Sequence, residues 1–129
     1  PLQARSDDRM TPGPAGVAAR RASRTLTPGA TPAQIEAATA AMARVSVQGY
    51  TDAVHLLASA TLATDLTRWQ RGIDFIAADG DRIVPAEIVQ TVARACPDAH
   101  LHLVRGAGHA SYLQAPDQFN RILADVLAR

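Results

Sequence analysis

Apolar positions recur at two different spacings along the chain, and the spacing changes near Gly72. Upstream, Ile35, Ala38, Met42 and Val45 return every three or four residues, the period of one helix face. Ahead of them, Thr31-Pro32-Ala33-Gln34 combines an N-cap Thr, a Pro at the first helical position and a Gln able to reach back as a capping box. A helix is expected to begin there. Gly49 is expected to interrupt it, and Tyr50 to Leu62 to form a second helix presenting Tyr50, Val54, Leu57 and Ala58. A short turn or helix is expected over Asp65 to Gln70. Residues 1–15 carry Pro1, Pro12, Gly13 and Pro14 among scattered charges with no period, and read as a loop or flexible arm.

Downstream of Gly72, Ile73 to Ala78 is a short apolar run suited to a buried parallel strand, ended by Asp79-Gly80-Asp81. A helix follows, with Pro85 at its start, Glu87 in its first turn and Ile88, Val89, Val92 and Ala93 on its face; Cys96-Pro97 stops it. His100 to Val104 alternates His and Leu as a second strand. Pro116 then opens a helix whose Phe119, Ile122, Leu123, Val126 and Leu127 fall on one face, which is expected to cover a sheet. The fold class is therefore α/β, with strand, helix and strand joined by a crossover and paired in parallel. Two strands leave an apolar parallel edge bare. Such an edge invites aggregation, so a partner supplying more strands is expected, unless the chain is not meant to fold alone.

Composition narrows the function classes. A chain of 129 residues, 47% hydrophobic, is long enough to bury the core of one small domain. The longest apolar runs are too short for a membrane span and the N-terminal residues lack the apolar centre of a signal peptide, so no membrane association is expected. The net charge of +1 gives no reason to expect nucleic acid as a partner, although the first 30 residues hold five Arg against two Asp and read as a solvated basic linker. All 13 basic residues are Arg, which excludes a Schiff-base or P-loop lysine from this chain. Cys96, the single cysteine, can form neither an internal disulfide nor a zinc cluster and is expected to be a buried thiol in a reducing cytoplasm. Opening on Pro1 rather than Met, the sequence is expected to be a processed product, a trimmed one or a fragment of a longer gene product.

The candidate chemistry lies where the two strands give way to loops. Asp81 follows the first strand and His109, in Gly106-Ala107-Gly108-His109, follows the second. Ligands gather at the carboxyl ends of parallel strands, so the two can meet. An aspartate that accepts the Nδ1 proton fixes the imidazole tautomer needed by a general base, and Gly80, Gly106 and Gly108 allow the turns that aim both groups. Taken singly, an Asp in a turn or a His after Gly is an ordinary loop residue; the pair in this order at strand ends carries the argument. No G-x-S-x-G elbow occurs among the 129 residues. Of the five serines, Ser6, Ser23, Ser46 and Ser59 lie in the arm or in the helical block, and Ser111 reads as a turn or site-lining residue. His100 and His102 share a strand face but lack a third ligand, so no metal is expected and they read, like His55, as packed or solvated. Met42, Tyr50 and Trp69 are first of all packing residues and also candidates, with Ile83 and Ala110, for lining a pocket.

At these residues the chain resembles the C-terminal part of an alpha/beta hydrolase of the esterase, lactonase and haloperoxidase-like type. Ala78-Asp79-Gly80-Asp81-Arg82-Ile83-Val84-Pro85 is similar to the family's GEDDRIVP segment, which ends in a helix start and whose fourth residue is the triad acid. Gly106 to His109 and Ser111-Tyr112-Leu113-Gln114-Ala115-Pro116 are similar to its G-x-G-H turn and SYLEQP run. Ala78 departs from the usual Gly and Gln114 from a common Glu. The resemblance implies that Asp81 and His109 are the acid and base of a triad. It also implies that residues 16–71 are part of a helical lid and residues 72–129 part of the hydrolase core. The nucleophile elbow and oxyanion amides are then expected on an N-terminal hydrolase chain, the partner in a cleaved or split enzyme. The implied activity is serine-dependent hydrolysis of an ester, lactone, thioester or carbon–carbon bond in a small, mainly apolar substrate, with no cofactor. The alternatives are a non-catalytic binding or scaffold subunit, and cofactor-free oxygenase or haloperoxidase-like chemistry on the same triad.

Overall fold

A computed structural model of the chain describes residues 13–60, 64, 66, 69 and 71–129. The elements are α1 (Gly13–Thr25), α2 (Pro32–Ala43), α3 (Val47–Ser59), β1 (Ile73–Ala78), α4 (Ala86–Ala95), β2 (Ala99–Val104), α5 (Ser111–Gln114) and α6 (Pro116–Leu127). They fall into two compact units. Among the described residues the first holds 13–23 and 31–60, and the second holds 24–30 together with those from 64 onward. No described helix is long and apolar enough to cross a membrane.

In the first unit, α1 is the element that pattern alone did not predict. Residues 1–12 of the expected arm lie outside the described residues, but Gly13 to Ala15 open a helix instead of continuing a loop. Among its described side chains Ala18, Ala22 and Thr25 are buried, 1%, 0% and 7% exposed, and such small residues among arginines leave little hydrophobic signal. α2 begins with the expected capping box: Thr31 Oγ1 accepts the Gln34 N–H at 3.3 Å, and Gln34 Oε1 accepts the Thr31 N–H at 2.9 Å. Gly49 does not break the helices. The break lies at Arg44 to Ser46, where Ser46 Oγ caps α3 by accepting the Gly49 N–H at 3.0 Å, which makes Gly49 the third residue of the helix. The Arg21 guanidinium lies 4.3 Å over the Tyr50 ring and joins α1 to α3. The expected turn over Asp65 to Gln70 falls mostly outside the described residues.

The second unit contains the parallel pair, in register from Ile73 opposite Ala99 to Ala78 opposite Val104. β1 keeps its expected bounds. The return from α4 turns at Asp98, whose φ of 49° lies in the left-handed region that Asp tolerates. Helices α4 and α6 both pack on both strands. Phe119 and Ile122 of α6, with Ala115, close over Ile76, Ala78, Val104 and Ala107. The rest of the predicted α6 stripe is covered less: Val126 is half-buried, while Leu123 is 38% and Leu127 76% exposed. Two strands about 4.8 Å apart are too narrow a surface for a five-residue stripe. On the same face His102 Nε2 meets Asp74 Oδ1 at 2.6 Å, and Arg129 approaches that oxygen at 3.4 Å. The His102 hydrogen bond holds the Asp74 carboxyl below its ordinary value, against burial and with help from Arg129.

Candidate active site

The acid is presented by a turn that continues the strand ladder. Past Ala78, the Asp79 amide donates to Val104 O at 3.1 Å, the Gly80 amide to Ala107 O at 2.9 Å and the Asp81 amide back to Ala78 O at 3.2 Å. The loop after β1 is thus stitched to the loop after β2. Asp81 Oδ1 accepts the Ile83 and Val84 amides at 2.8 and 2.9 Å, which leaves Oδ2 for His109 Nδ1 at 2.8 Å. Burial pushes the Asp81 carboxyl up, but the Val84 amide, the His109 imidazole and the Ile83 amide outweigh it and hold the group below its ordinary value. An ionised carboxylate has no proton to give, so Nδ1 carries the hydrogen of this bond. The carboxylate is 10% exposed and the imidazole 44%, so the ring stands nearer to water than the carboxylate that orients it.

The turn that carries His109 is held at alternate residues. Gly106 has φ 72°, which only a residue without Cβ adopts freely, and its amide donates to Asp79 Oδ1 at 2.7 Å. The Gly108 amide donates to Gln114 Oε1 at 2.9 Å, and the Ala110 amide to Thr25 O at 3.0 Å. Gly108 lies so close to the strap of Thr25, Leu26 and Thr27 that a Cβ there would stand 2.7 Å from Thr25 O. Leu26 is 2% exposed at the centre of that strap. Gln114 Oε1 also accepts the Thr27 amide at 3.1 Å, while its Nε2 donates to Thr27 Oγ1.

Asp81 and His109 are therefore brought together. Of the other candidates, Ile83 lies beside the pair through its amide, with its side chain 41% exposed, and Ala110 is buried, 7% exposed, with its amide committed to Thr25. Trp69 belongs to the second unit and is 50% exposed; Met42 and Tyr50 are half-buried on α2 and α3 of the first. Ser111 is buried as the first residue of α5, and His55 is exposed on α3. Among the described residues no group of three His, Cys, Asp or Glu side chains is placed to hold a metal ion. Sequence reasoning missed Asp79, Thr27 and Gln114, which support the turns. Gln114 stood out only as a departure from a motif, and the Thr25 to Thr27 strap had no period at all.

Solved structures share this arrangement of elements across nearly the whole chain. The enol-lactonase from Burkholderia xenovorans LB400 superposes with a TM-score of 0.89 at 18% identity, over 99% of this chain and 50% of its own. The malate-bound esterase from Thermogutta terrifontis gives 0.86 at 19% identity, over 98% and 48%. The bromoperoxidase from Bacillus anthracis gives 0.86 at 16% identity, over 99% and 48%. The fold is that of the C-terminal part of an alpha/beta hydrolase. In sequence, 74 residues are 36% identical to the "Putative carbamate hydrolase RutD" of Pseudomonas savastanoi pv. phaseolicola (strain 1448A / Race 6), which is 57% of this chain and 29% of that protein. No protein-family model matches the sequence. The chain thus spans about half the length of the solved hydrolase-fold chains it matches, and less of the curated relative.

Proposed function

We propose that this chain supplies the acid and base of a serine-dependent alpha/beta hydrolase whose nucleophile elbow lies in the half of the fold it does not contain. The carrying observation is the 2.8 Å bond from His109 Nδ1 to an Asp81 carboxylate that two backbone amides hold ionised. In this reading a Ser in a G-x-S-x-G turn attacks the carbonyl, His109 Nε2 takes its proton and Asp81 stabilises the imidazolium. The proton then passes from Nε2 to the leaving group, and water repeats the cycle on the acyl intermediate. The oxyanion amides come with the elbow. Asp81 and His109 are the catalytic residues, and Trp69, Ile83 and Ala110 of the same unit border the substrate. The substrate is a small, mainly apolar acyl compound. The names of the similar proteins put esters, lactones and carbamates first in a panel.

The test is reconstitution. Paired with an N-terminal hydrolase segment bearing the elbow, as a separate chain or joined to it, the protein is expected to hydrolyse at least one member of the panel. His109→Ala is expected to lower that rate by roughly 10⁴-fold. Unchanged turnover in the His109→Ala protein would sink the proposal.

A further inference from the structure

The acid–base pair is oriented by its turn, and the turn is oriented by one amide side chain. Gln114 Oε1 has two lone pairs and both are used, by the Gly108 amide at 2.9 Å and the Thr27 amide at 3.1 Å. Its Nε2 donates to Thr27 Oγ1, whose hydroxyl faces Gly106 O at 3.5 Å. Gln114 thus joins the residue directly before His109 to a strap 87 positions away in sequence. An apolar side chain of the same length leaves both amides without their acceptor, and the turn is then free to move away from Thr27 to find water.

We propose that Gln114 is the positioning residue of His109: by fixing the Gly108 amide to the Thr27 strap, it holds the imidazole in the orientation and tautomer in which Nδ1–H meets Asp81. This rests on the reading of His109 as the catalytic base. A carboxylate at the same position also accepts both amides and receives the Thr27 hydroxyl proton. The role therefore belongs to the acceptor oxygen, and Gln114→Glu preserves it where Gln114→Met does not.

The experiment uses the assembled hydrolase and reads kcat, KM and the 15N shifts of the His109 ring, which report the nitrogen that carries the proton. Gln114→Met is expected to lower kcat by about 30- to 100-fold, the scale of a misplacement near 1 Å, with KM changed less than about threefold. It is also expected to turn a single Nδ1–H tautomer into a mixture. Gln114→Glu is expected to restore the tautomer and bring kcat to within about fivefold of the parent. Thr27→Val, which removes only the hydroxyl, is expected to shift the ring signals in the same direction by less, and it carries the test if the Met variant does not fold. A Met variant with the parent's kcat and tautomer overturns the proposal, as does a Glu variant no better than Met. A parent protein that keeps the tautomer, loses it in the Met variant and hydrolyses nothing leaves Gln114's role standing and removes the hydrolase reading instead.

Discussion

The turn after β2 and the helical unit bury their residues in opposite ways. From Val104 to Ser111 five residues are buried, and the turn is closed by bonds to Asp79, Gln114 and Thr25. In α2 and α3 the buried positions are Ala38 and Val54, while Leu56 and Leu57 stand 70% and 68% exposed. The turn that carries His109 is thus specified by this chain's own polar groups. Helix α3 leaves Val47, Leu56 and Leu57 exposed.

The largest effect that can test this contrast is chemical. Asp81→Asn keeps the shape of the side chain but presents a donor or a neutral oxygen to Nδ1. In the hydrolase proposed above it is expected to lower kcat by about 10⁴-fold. Gly108→Ala comes next. Its Cβ has only backbone to press against, Thr25 O and Leu26, and is expected to cost about 1–3 kcal/mol in urea unfolding because neither can rotate away.

Acid should loosen the second unit in a defined window. Asp74 and Asp81 are both held below their ordinary values, so each contributes stability that is fully present above the unfolded carboxylate pKa of about 3.9. That contribution is lost as pH falls through the lower folded values. Stability attributable to these groups is expected to hold from neutral pH down to about 4 and to fall below it, and Asp74→Asn is expected to make the fall shallower. The smallest effect concerns α3. Leu57→Ser is expected to change stability by no more than about 0.5 kcal/mol where the helix face stays in water. A substantially larger cost in the assembled hydrolase than in this chain alone would identify Leu57 as covered there, and equal small costs would leave the exposure as a property of the finished protein.

The sequence was legible where one element carried its own signals. Gly72 and Asp79-Gly80 bracket β1, Pro116 opens α6, and Thr31 with Gln34 caps α2, each by chemistry within a few residues. It was illegible where the signal was diluted or distant. The buried positions described in α1 are two alanines and a threonine, and Ser46 made Gly49 part of a helix that Gly alone argued against. The apolar period of α6 stated which residues could be buried, but only the width of the sheet decided that Leu123 and Leu127 are not. At the site, Asp81 and His109 could be picked out because each sits in a recognisable turn. Their mutual bond depends on the register of two strands, and their support depends on Thr25 to Thr27, which no local pattern connects to either.

That remote support bears on the order in which the protein forms. The contact between Gln114 and Thr27 closes a loop of 87 positions, whereas the helices and the pairing of β1 with β2 close much shorter ones. Chain entropy opposes long closures most, so the strap is expected to dock after the helices and sheet have formed. In pulsed hydrogen exchange during refolding, the Gly108 and Thr27 amides should gain protection after those of β1 and β2. A nascent chain that has emerged only as far as His109 holds both members of the pair and still lacks the residue that seats them.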